Sequence, residues 1–475
     1  MDDFRLIKMV VKKLEKDICN VNFSDISNDM NLKPYTTVLI GANGSGKTYL
    51  LKIICDIFKF LKDKLGSNSQ YVYDYFHVEY CICNKIYKVE VIKNNILKCM
   101  CNMKEIPFKE ILLPKKILAV SFMVNDKFLF SDNKNKNSMY VYLGVRKTSN
   151  CTYTSSLVRT VIDNIFIAID NGKTGVIKDA LKLMNMEDKI SFEVRPSTNK
   201  SLKIINDSNK LREFLNDKIN IKYKNKHREN EISVESLVEA INSIDFGPVE
   251  VDLGNKNGIS NLIEFKREID ELIDFNLLKP IKIFFYKKKE NISFEDCSSG
   301  EKHIIFAFSS IAVNIYPGSI ILVDEPEISL HPNWQMKYIH LLKKTFEKYS
   351  SCHFILATHS HYIISDLEPD SSSVVILKKD DDNEPSKAEL LEYSTYSWSA
   401  DNIIYNVFGL RTARNYYFEM DLRDMIESMQ SRIPDIKLIE KLYNKLIGYN
   451  YDKNDPLNKV LDEVEVYLDV HKTTD

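Results

Sequence analysis

An α/β fold built round a mostly parallel sheet is what this sequence predicts, and three apolar runs predict it. Thr36-Thr37-Val38-Leu39-Ile40 leads into the loop Gly41-Ala42-Asn43-Gly44-Ser45-Gly46-Lys47-Thr48. Ile320-Ile321-Leu322-Val323 ends in Asp324-Glu325-Pro326, and Phe354-Ile355-Leu356-Ala357 ends in Thr358-His359-Ser360. Strands buried on both faces of a parallel sheet read as continuous apolar runs, and ligands collect at their carboxyl ends. Each run delivers chemistry-bearing residues at that end, so one sheet edge is expected to carry one site.

The loop after the first run matches Gly-x-x-x-x-Gly-Lys-Thr at every fixed position. Residues 49–65 follow as a helix, with Leu50, Ile53, Ile54, Ile57 and Leu61 on one face and Gly66 as its stop. Phosphate binding requires this strand–loop–helix order. Gly41, Gly44 and Gly46 let the backbone, Asn43 and Ser45 included, wrap a phosphate with its N–H groups pointing inward. The helix that follows adds the positive end of its dipole. Lys47 is expected to reach the β- and γ-phosphates of ATP, and the Thr48 hydroxyl to ligate Mg²⁺.

At 475 residues the chain exceeds one ordinary domain, so two or three substructures are expected. Hydrophobic residues at 44% and charged residues at 28% are the balance of a globular protein. The longest apolar stretch, 303–323, is broken by Ser309, Ser310, Asn314 and Pro317-Gly318, which argues against a membrane span. The acidic start Met1-Asp2-Asp3-Phe4 carries no signal-peptide core, so a soluble cytoplasmic protein is expected. A net charge of −2 gives no global field for nucleic acid, and the basic runs at 8–16, 218–228 and 287–289 read as solvated faces.

Among the nine cysteines, Cys81 and Cys83, then Cys99 and Cys101, form two close pairs within 75–104, which alternates like a β-meander. Residues i and i+2 of a strand share a face, so these read as small apolar side chains on sheet faces rather than zinc ligands.

The second and third runs meet the demands of phosphoryl transfer. Asp324 is expected to hold Mg²⁺, Glu325 to orient and deprotonate the attacking water, and His359 to contact the γ-phosphate. Ser329-Leu330-His331-Pro332 forms a turn directly after the carboxylates. Upstream, Cys297-Ser298-Ser299-Gly300-Glu301-Lys302 opens a helix over 303–315, where serines and glycine at a helix start make a second anion site.

Together these residues resemble the ATP-binding-cassette ATPases of the soluble kind related to Rad50 and SMC proteins. Residues 41–48 match the Walker A motif, Ser298-Ser299-Gly300-Glu301 the signature, 320–325 Walker B, 329–332 the D-loop, and His359 the switch histidine. Two positions depart from the pattern: Cys297 stands where the family has Leu, and the Q-loop glutamine has no counterpart, Asn125 or Asp126 standing nearest to it. The resemblance implies an ABC-type head, a mixed β lobe plus a P-loop core sheet flanked by helices, carrying a helical insert and a helical C-terminal extension. The divisions expected are 1–150, 151–280, 281–392 and 393–475. It also implies ATP and Mg²⁺ as ligands, with Gly41 to Thr48 and Ser298, Ser299, Gly300 and Glu301 contacting ATP.

In this family the signature of one cassette closes over nucleotide held by another. A chain with one copy of each motif is therefore expected to work as a head-to-tail dimer or higher oligomer. The insert lacks a sustained heptad; helical patterns at 174–186, 208–219, 233–244 and 261–278 are broken by Pro196, Gly247-Pro248 and Gly254. Long Rad50-like arms are not expected. Beyond the cassette, helices are expected at 401–408, 420–429, 435–446 and 457–470. Residues 397–401, Phe408-Gly409 and 411–415 resemble the tail of anti-phage defence ATPases of the Septu and retron type. That resemblance implies a separately encoded HNH nuclease as partner, with contact to nucleic acid only through it. The tail helices suit docking or plain packing equally. The alternative function is a DNA-repair or maintenance ATPase; a transporter cassette fits the large insert and tail poorly. Residues 380–384 are acidic and read as a solvated loop, so no nuclease centre is expected in this chain.

Overall fold

The computed structural model describes residues 3–14, 16–24, 34–66, 73–123, 126–130, 138–146, 153–223, 232–253, 259–288, 290–378, 387–392, 395–396, 398, 402–403, 415–449 and 457–472. Asn125, residues 380–384, residues 404–414 and most of 397–401 lie outside them. The chain divides into two compact units, Met1–Trp398 and Ser399–Asp475.

The larger unit begins with β1 (Phe4–Lys13), β2 (Lys16–Asn22), β3 (Tyr35–Gly41), α1 (Lys47–Gly66), β4 (Tyr75–Ile82), β5 (Lys85–Ile92), β6 (Asn95–Cys101), β7 (Lys104–Glu105), β8 (Ile117–Ser121) and β9 (Tyr140–Gly144). Next come α2 (Tyr153–Asp170), α3 (Thr174–Leu183), β10 (Lys189–Val194), α4 (Asn199–Ile205), α5 (Ser208–Tyr223), α6 (Val234–Ser243), β11 (Gly247–Asp252), α7 (Ser260–Glu264) and α8 (Lys266–Asp274). It finishes with β12 (Lys282–Lys287), β13 (Glu290–Ser293), α9 (Ser299–Asn314), β14 (Ile320–Asp324), α10 (Pro332–Thr345), β15 (His353–Ala357), β16 (Ser372–Lys378) and β17 (Lys387–Leu390).

The core sheet runs β17-β16-β3-β15-β14-β8-β9. Every pairing in it is parallel except β16 with β17, so the carboxyl ends of β3, β14 and β15 share one edge. All residues of these three strands are buried up to that edge, which is why they read as unbroken apolar runs. A second sheet, β2-β1-β4-β5-β6-β7, is an antiparallel meander beyond β1. The apolar face of α1 (Leu50, Ile53, Ile54, Ile57 and Leu61) shares one core with Leu6, Val78 and Val89 of that sheet and Leu39, Leu322 and Ile355 of the core sheet. His353 pins the two sheets: its Nδ1 accepts from Leu6 N at 3.0 Å, which leaves Nε2–H to donate to Thr37 Oγ1 at 2.8 Å. Burial and the nearby Arg5 hold this imidazole well below its ordinary pKa, in the neutral form that pairing requires.

The segment expected to be a helical insert also contributes β10 and β11, which join β12 and β13 in a small antiparallel sheet. Lys189-Ile190-Ser191-Phe192-Glu193-Val194 is short and its buried side is carried by Ile190, Phe192 and Val194, a period of two that the surrounding helical patterns mask. Pattern 261–278 resolves into two helices, α7 and α8, broken at Phe265.

In the smaller unit, α11 (Tyr416–Gln430), α12 (Ile436–Ile447) and α13 (Leu457–Lys472) bury Met425, Ile439, Leu442, Leu446, Leu457, Leu461, Val464 and Leu468 against one another. The three- and four-residue spacing of these side chains puts each set on one helix face. Asn415 and Asp435 cap α11 and α12 through backbone N–H groups of Tyr417 and Leu438.

Candidate functional site

Residues 41–48 form the turn from β3 into α1 that their spacing predicts. Gly44 and Gly46 have φ of 78° and 91°, and a Cβ added at either would enter open space. The backbone conformation therefore demands glycine here, and the surface it lines is free for a ligand. Gly41 is required for a different reason: an added Cβ would stand 2.3 Å from Leu377 O. Ser45 is buried and its Oγ has no partner among the described residues. Asn43 is exposed.

Lys47 folds back over this loop. Its Nζ donates to Gly41 O at 2.8 Å, to Ala42 O at 3.2 Å and to His359 Nδ1 at 3.3 Å. Burial lowers the ammonium to about 8, while Glu325, Glu327 and Asp324 work the other way, so it remains a cation at neutral pH. Thr48 Oγ1 donates to Asp324 Oδ1 at 2.9 Å across 276 residues of sequence. Asp324 is 2% exposed, and burial first, then Glu325, Asp126 and Glu327, raise its carboxyl to about 7. Hydroxyl and carboxylate oxygens side by side, among carboxylates short of positive charge, are a donor set that suits Mg²⁺.

Glu325 follows Asp324 in the left-handed region, at φ 49°, with its N–H donating to Ala357 O at 2.8 Å. That conformation is uncommon outside glycine and is held here by the sheet edge. It turns the Glu325 carboxylate to within 3.9 Å of His359 Nε2. Because His359 Nδ1 accepts from Lys47, the ring proton sits on Nε2, facing Glu325. Burial, with Lys47 second, keeps this imidazole below its ordinary pKa and hence neutral.

Two residues at this edge, Glu327 and Gln335, were not expected from the sequence. Glu327 Oε1 accepts from His359 N at 2.6 Å, while its other oxygen is buried without a partner among the described residues. Gln335 donates to Leu330 O at 2.9 Å and accepts from Ser360 Oγ at 2.6 Å, tying the D-loop to the end of β15. Asp126, one of the two Q-loop candidates, is buried and accepts from Phe128 N at 3.0 Å, from the Tyr142 hydroxyl, and pairs with Arg146 at 3.6 Å. The repeat Asp324-Glu325-Pro326-Glu327 was the one available signal for Glu327; the Ser360 partner of Gln335 lies 25 residues away, beyond another strand.

The signature differs from expectation. Its helix, α9, starts at Ser299 rather than at 303, because Ser298 and Glu301 form a reciprocal capping box. Glu301 N donates to Ser298 Oγ at 3.3 Å, and Glu301 Oε2 accepts from Ser298 N at 2.8 Å. Burial works against it, but these bonds and Lys287 at 3.1 Å hold the Glu301 carboxylate below its usual range. Two N–H groups of the expected anion site are thus already used, and Glu301 faces its own helix. Ser298 and Ser299 are exposed, whereas Gly300 is buried, its missing Cβ leaving room for Ser329 O at 2.7 Å and the Trp334 ring at 3.1 Å. Among the described residues no hydrogen bond or ion pair joins 298–301 to 41–48. His331 and Pro332, expected within a turn, are the N-cap and first residue of α10.

Fold and site together resemble those of an ABC-type ATPase head. Residues 186–365 match the family described as “AAA domain, putative AbiEii toxin, Type IV TA system”, a span that holds the signature, Walker B and His359 but not the phosphate loop. The chain is similar to Septu protein PtuA of Bacillus thuringiensis, 25% identical over 209 residues, 41% of this chain and 51% of that protein. It is also similar to the retron Vc95 probable ATPase of Vibrio cholerae serotype O1 biovar El Tor, 23% identical over 412 residues, 78% of this chain and 76% of that one. The match thus spans about half the length of the Septu protein and three quarters of the retron ATPase. Among solved structures, an Smc head bound to the C-winged helix domain of ScpA aligns with 81% of this chain and 97% of its own at 13% identity and a TM-score of 0.36. The resemblance to ABC/SMC-like ATPases of anti-phage defence is therefore carried by sequence relatives as well as by motifs.

Among the described residues no helix is long and apolar enough to cross a membrane. No group of three or more metal-ligating side chains clusters there either, Cys81, Cys83, Cys99 and Cys101 included.

Proposed function

We propose that this chain is the cytoplasmic ATPase subunit of an anti-phage defence system, hydrolysing ATP between two copies arranged head to tail. The observation that carries this reading is the meeting of Lys47, Thr48, Asp324, Glu325 and His359 at one sheet edge while Ser298 and Ser299 face solvent. A single chain holds half of what a closed site needs. In the reading, the N–H groups of 43–46 and the Lys47 ammonium bind the phosphates. Thr48 and Asp324 hold Mg²⁺, which supplies charge neutralisation for the phosphate oxygens when bound. Glu325 takes the proton of the attacking water, and His359, neutral and donating from Nε2, orients that carboxylate toward the phosphate. Ser298, Ser299 and Gly300 of the second copy supply hydroxyls and N–H groups from the far side, and Glu301 positions them through the capping box.

Closing and opening of the pair is then the output, and a separately encoded HNH nuclease is what it controls. Residues 1–150 and 281–392 would form the two halves of the head, 151–280 the insert and 393–475 the extension. Similarity to Septu and retron ATPases supports the defence role. The test is Glu325→Gln. It is expected to bind ATP as the parent does, to slow hydrolysis by about 10²–10⁴-fold, and to run as a dimer by light scattering with saturating ATP and Mg²⁺. A variant that stays monomeric under those conditions, while the parent hydrolyses ATP normally, removes the composite site from consideration.

A further inference from the structure

We infer that Glu327 is a positioning residue for ATP hydrolysis: its carboxylate anchors the main chain of His359 and so sets where that imidazole meets Glu325. The inference rests on the hydrolytic reading above and adds to it a side chain that acts through His359. Strand β15 ends at Ala357, and Thr358 N still donates to Leu39 O of β3 at 3.0 Å. The next two residues are held by side chains instead. Glu327 Oε1 accepts from His359 N, and Gln335 Oε1 of α10 accepts from Ser360 Oγ, both at 2.6 Å. Leu330 N donates to Glu327 O at 3.0 Å and Gln335 Nε2 to Leu330 O at 2.9 Å, which closes a circuit of bonds between 327–335 and the switch turn.

The imidazole of His359 is where this anchoring matters. Its Nδ1 accepts from Lys47 at 3.3 Å, and its Nε2 stands 3.9 Å from Glu325, too far for a hydrogen bond. Catalytic pairs of this kind tighten when substrate is bound, and the gap left to close is about 1 Å. Both contacts swing about the same Cα, so a shift of the main chain at His359 moves both together. A misplacement of about 1 Å is enough to cost about 10²-fold in rate.

Glu327 differs from a side chain that merely ties the fold. Neutral Gln335 already makes that tie one residue on, so the tie needs no carboxylate. The Glu327 Oε2 is buried without a hydrogen-bond partner among the described residues, an arrangement that costs stability. Burial raises this carboxyl, and the His359 N–H and the Thr358 hydroxyl oppose the rise. Its charge also reaches Lys47, where a negative group does nothing to draw in phosphate. A carboxylate that favours neither stability nor nucleotide affinity is accounted for by the step it positions. A charged acceptor holds the His359 N–H more tightly than a neutral one does. Because one of its oxygens is on the main chain and the other is shut away, Glu325 is left to meet the water.

The experiment uses the full chain with Glu327→Gln and Glu327→Ala, alone and combined with His359→Gln. Glu327→Gln keeps the size and one acceptor oxygen, so its melting temperature is expected to be no lower than the parent's, whatever becomes of Glu327→Ala. Steady-state kcat is expected to fall about tenfold with glutamine, the weaker acceptor, and about 10²-fold with alanine. Titration calorimetry is expected to show ATP bound no more weakly than by the parent, the split of an interaction made for the step alone. In the His359→Gln background, adding Glu327→Gln is expected to cost less than about twofold more, since the two residues act as one. Nucleotide-free protein carrying isotope-labelled histidine supplies a readout that needs no turnover: the His359 ring signal, identified by its loss in His359→Gln, is expected to move in Glu327→Gln. An unmoved signal, a parent-like kcat in Glu327→Gln, a loss that falls on ATP affinity instead, or an equal loss in the His359→Gln background overturns the inference while the hydrolytic reading stands. A parent that hydrolyses no ATP removes the hydrolytic reading and this role with it.

Discussion

Two helices of the larger unit, α1 and α9, start on short loops rich in glycine and serine, and the two starts are built differently. At α1 the loop keeps positive-φ glycines over open space, and the N–H groups of Gly46, Lys47 and Thr48 make no hydrogen bond among the described residues. At α9 the capping box takes up the N–H groups of Ser298 and Glu301 and brings a carboxylate to the helix start. Both ends carry the same positive dipole. Only the first leaves it uncompensated, so only the first is suited to gather a polyphosphate unaided. The second presents the Ser299 hydroxyl and two remaining amides, because the Ser298 hydroxyl already donates to Glu301 Oε2 at 2.8 Å, enough to complete a site but not to found one.

The contrast is tested most severely at Lys47. Lys47→Ala is expected to weaken ATP binding by at least about 100-fold, the loss of a charge-assisted contact to phosphate, whereas Ser298→Ala leaves binding to the isolated chain within about twofold. Titration calorimetry on dilute protein reads both. Equal losses would show that the two helix starts contribute alike.

A smaller effect sharpens the account of the open end. The Asp324 carboxyl is raised to about 7 from an ordinary value near 4, so the folded chain binds a proton there that the unfolded chain releases. Stability of nucleotide- and metal-free protein should therefore be fully present below about pH 4 for this group and decline as pH rises to about 7. Asp324→Asn removes the titration. It is expected to exceed the parent in urea stability at pH 8 by something on the order of 1–3 kcal/mol, to match it at about pH 4, and to lose Mg²⁺-dependent hydrolysis. A stability difference that does not change with pH would mean that burial is not what raises this group.

The smallest effect concerns the closed end. Glu301→Ala opens the capping box and should cost about 1 kcal/mol, with Glu301→Gln recovering most of it, as read by thermal melting. Neither change should raise the affinity of the single chain for ATP by more than a few-fold, because Ser298 still occupies one amide. A large gain would show that the carboxylate alone keeps phosphate away from α9.

Much of the site is visible in the sequence because its parts are local. A phosphate loop needs its residues consecutive, since the same backbone that supplies the donors also makes the turn, and the helix dipole begins one residue later. Apolar runs ending in Asp324-Glu325 and Thr358-His359 are visible for a similar reason: a strand buried on both faces announces itself, and its end is where side chains meet solvent. The misplaced start of α9 is a local error of another kind. Ser298-x-x-Glu301 is a capping-box signature, and reading its serines only as free donors overlooks what the carboxylate three residues on does to them. The strands β10 and β11 were hidden because a six-residue alternation between long helical patterns carries too little signal to stand out.

The sequence by itself determined the parallel core sheet, the phosphate loop and the two strand-end motifs, because each is specified by neighbours within a few residues. Only the tertiary structure decided that Thr48 meets Asp324, that Lys47 meets His359, that Glu327 and Gln335 brace the switch strand, and that Lys116 and Lys173 share one tyrosine ring. Those contacts depend on strand order and register. Register is set by how whole faces pack, and no stretch of chain carries that information alone.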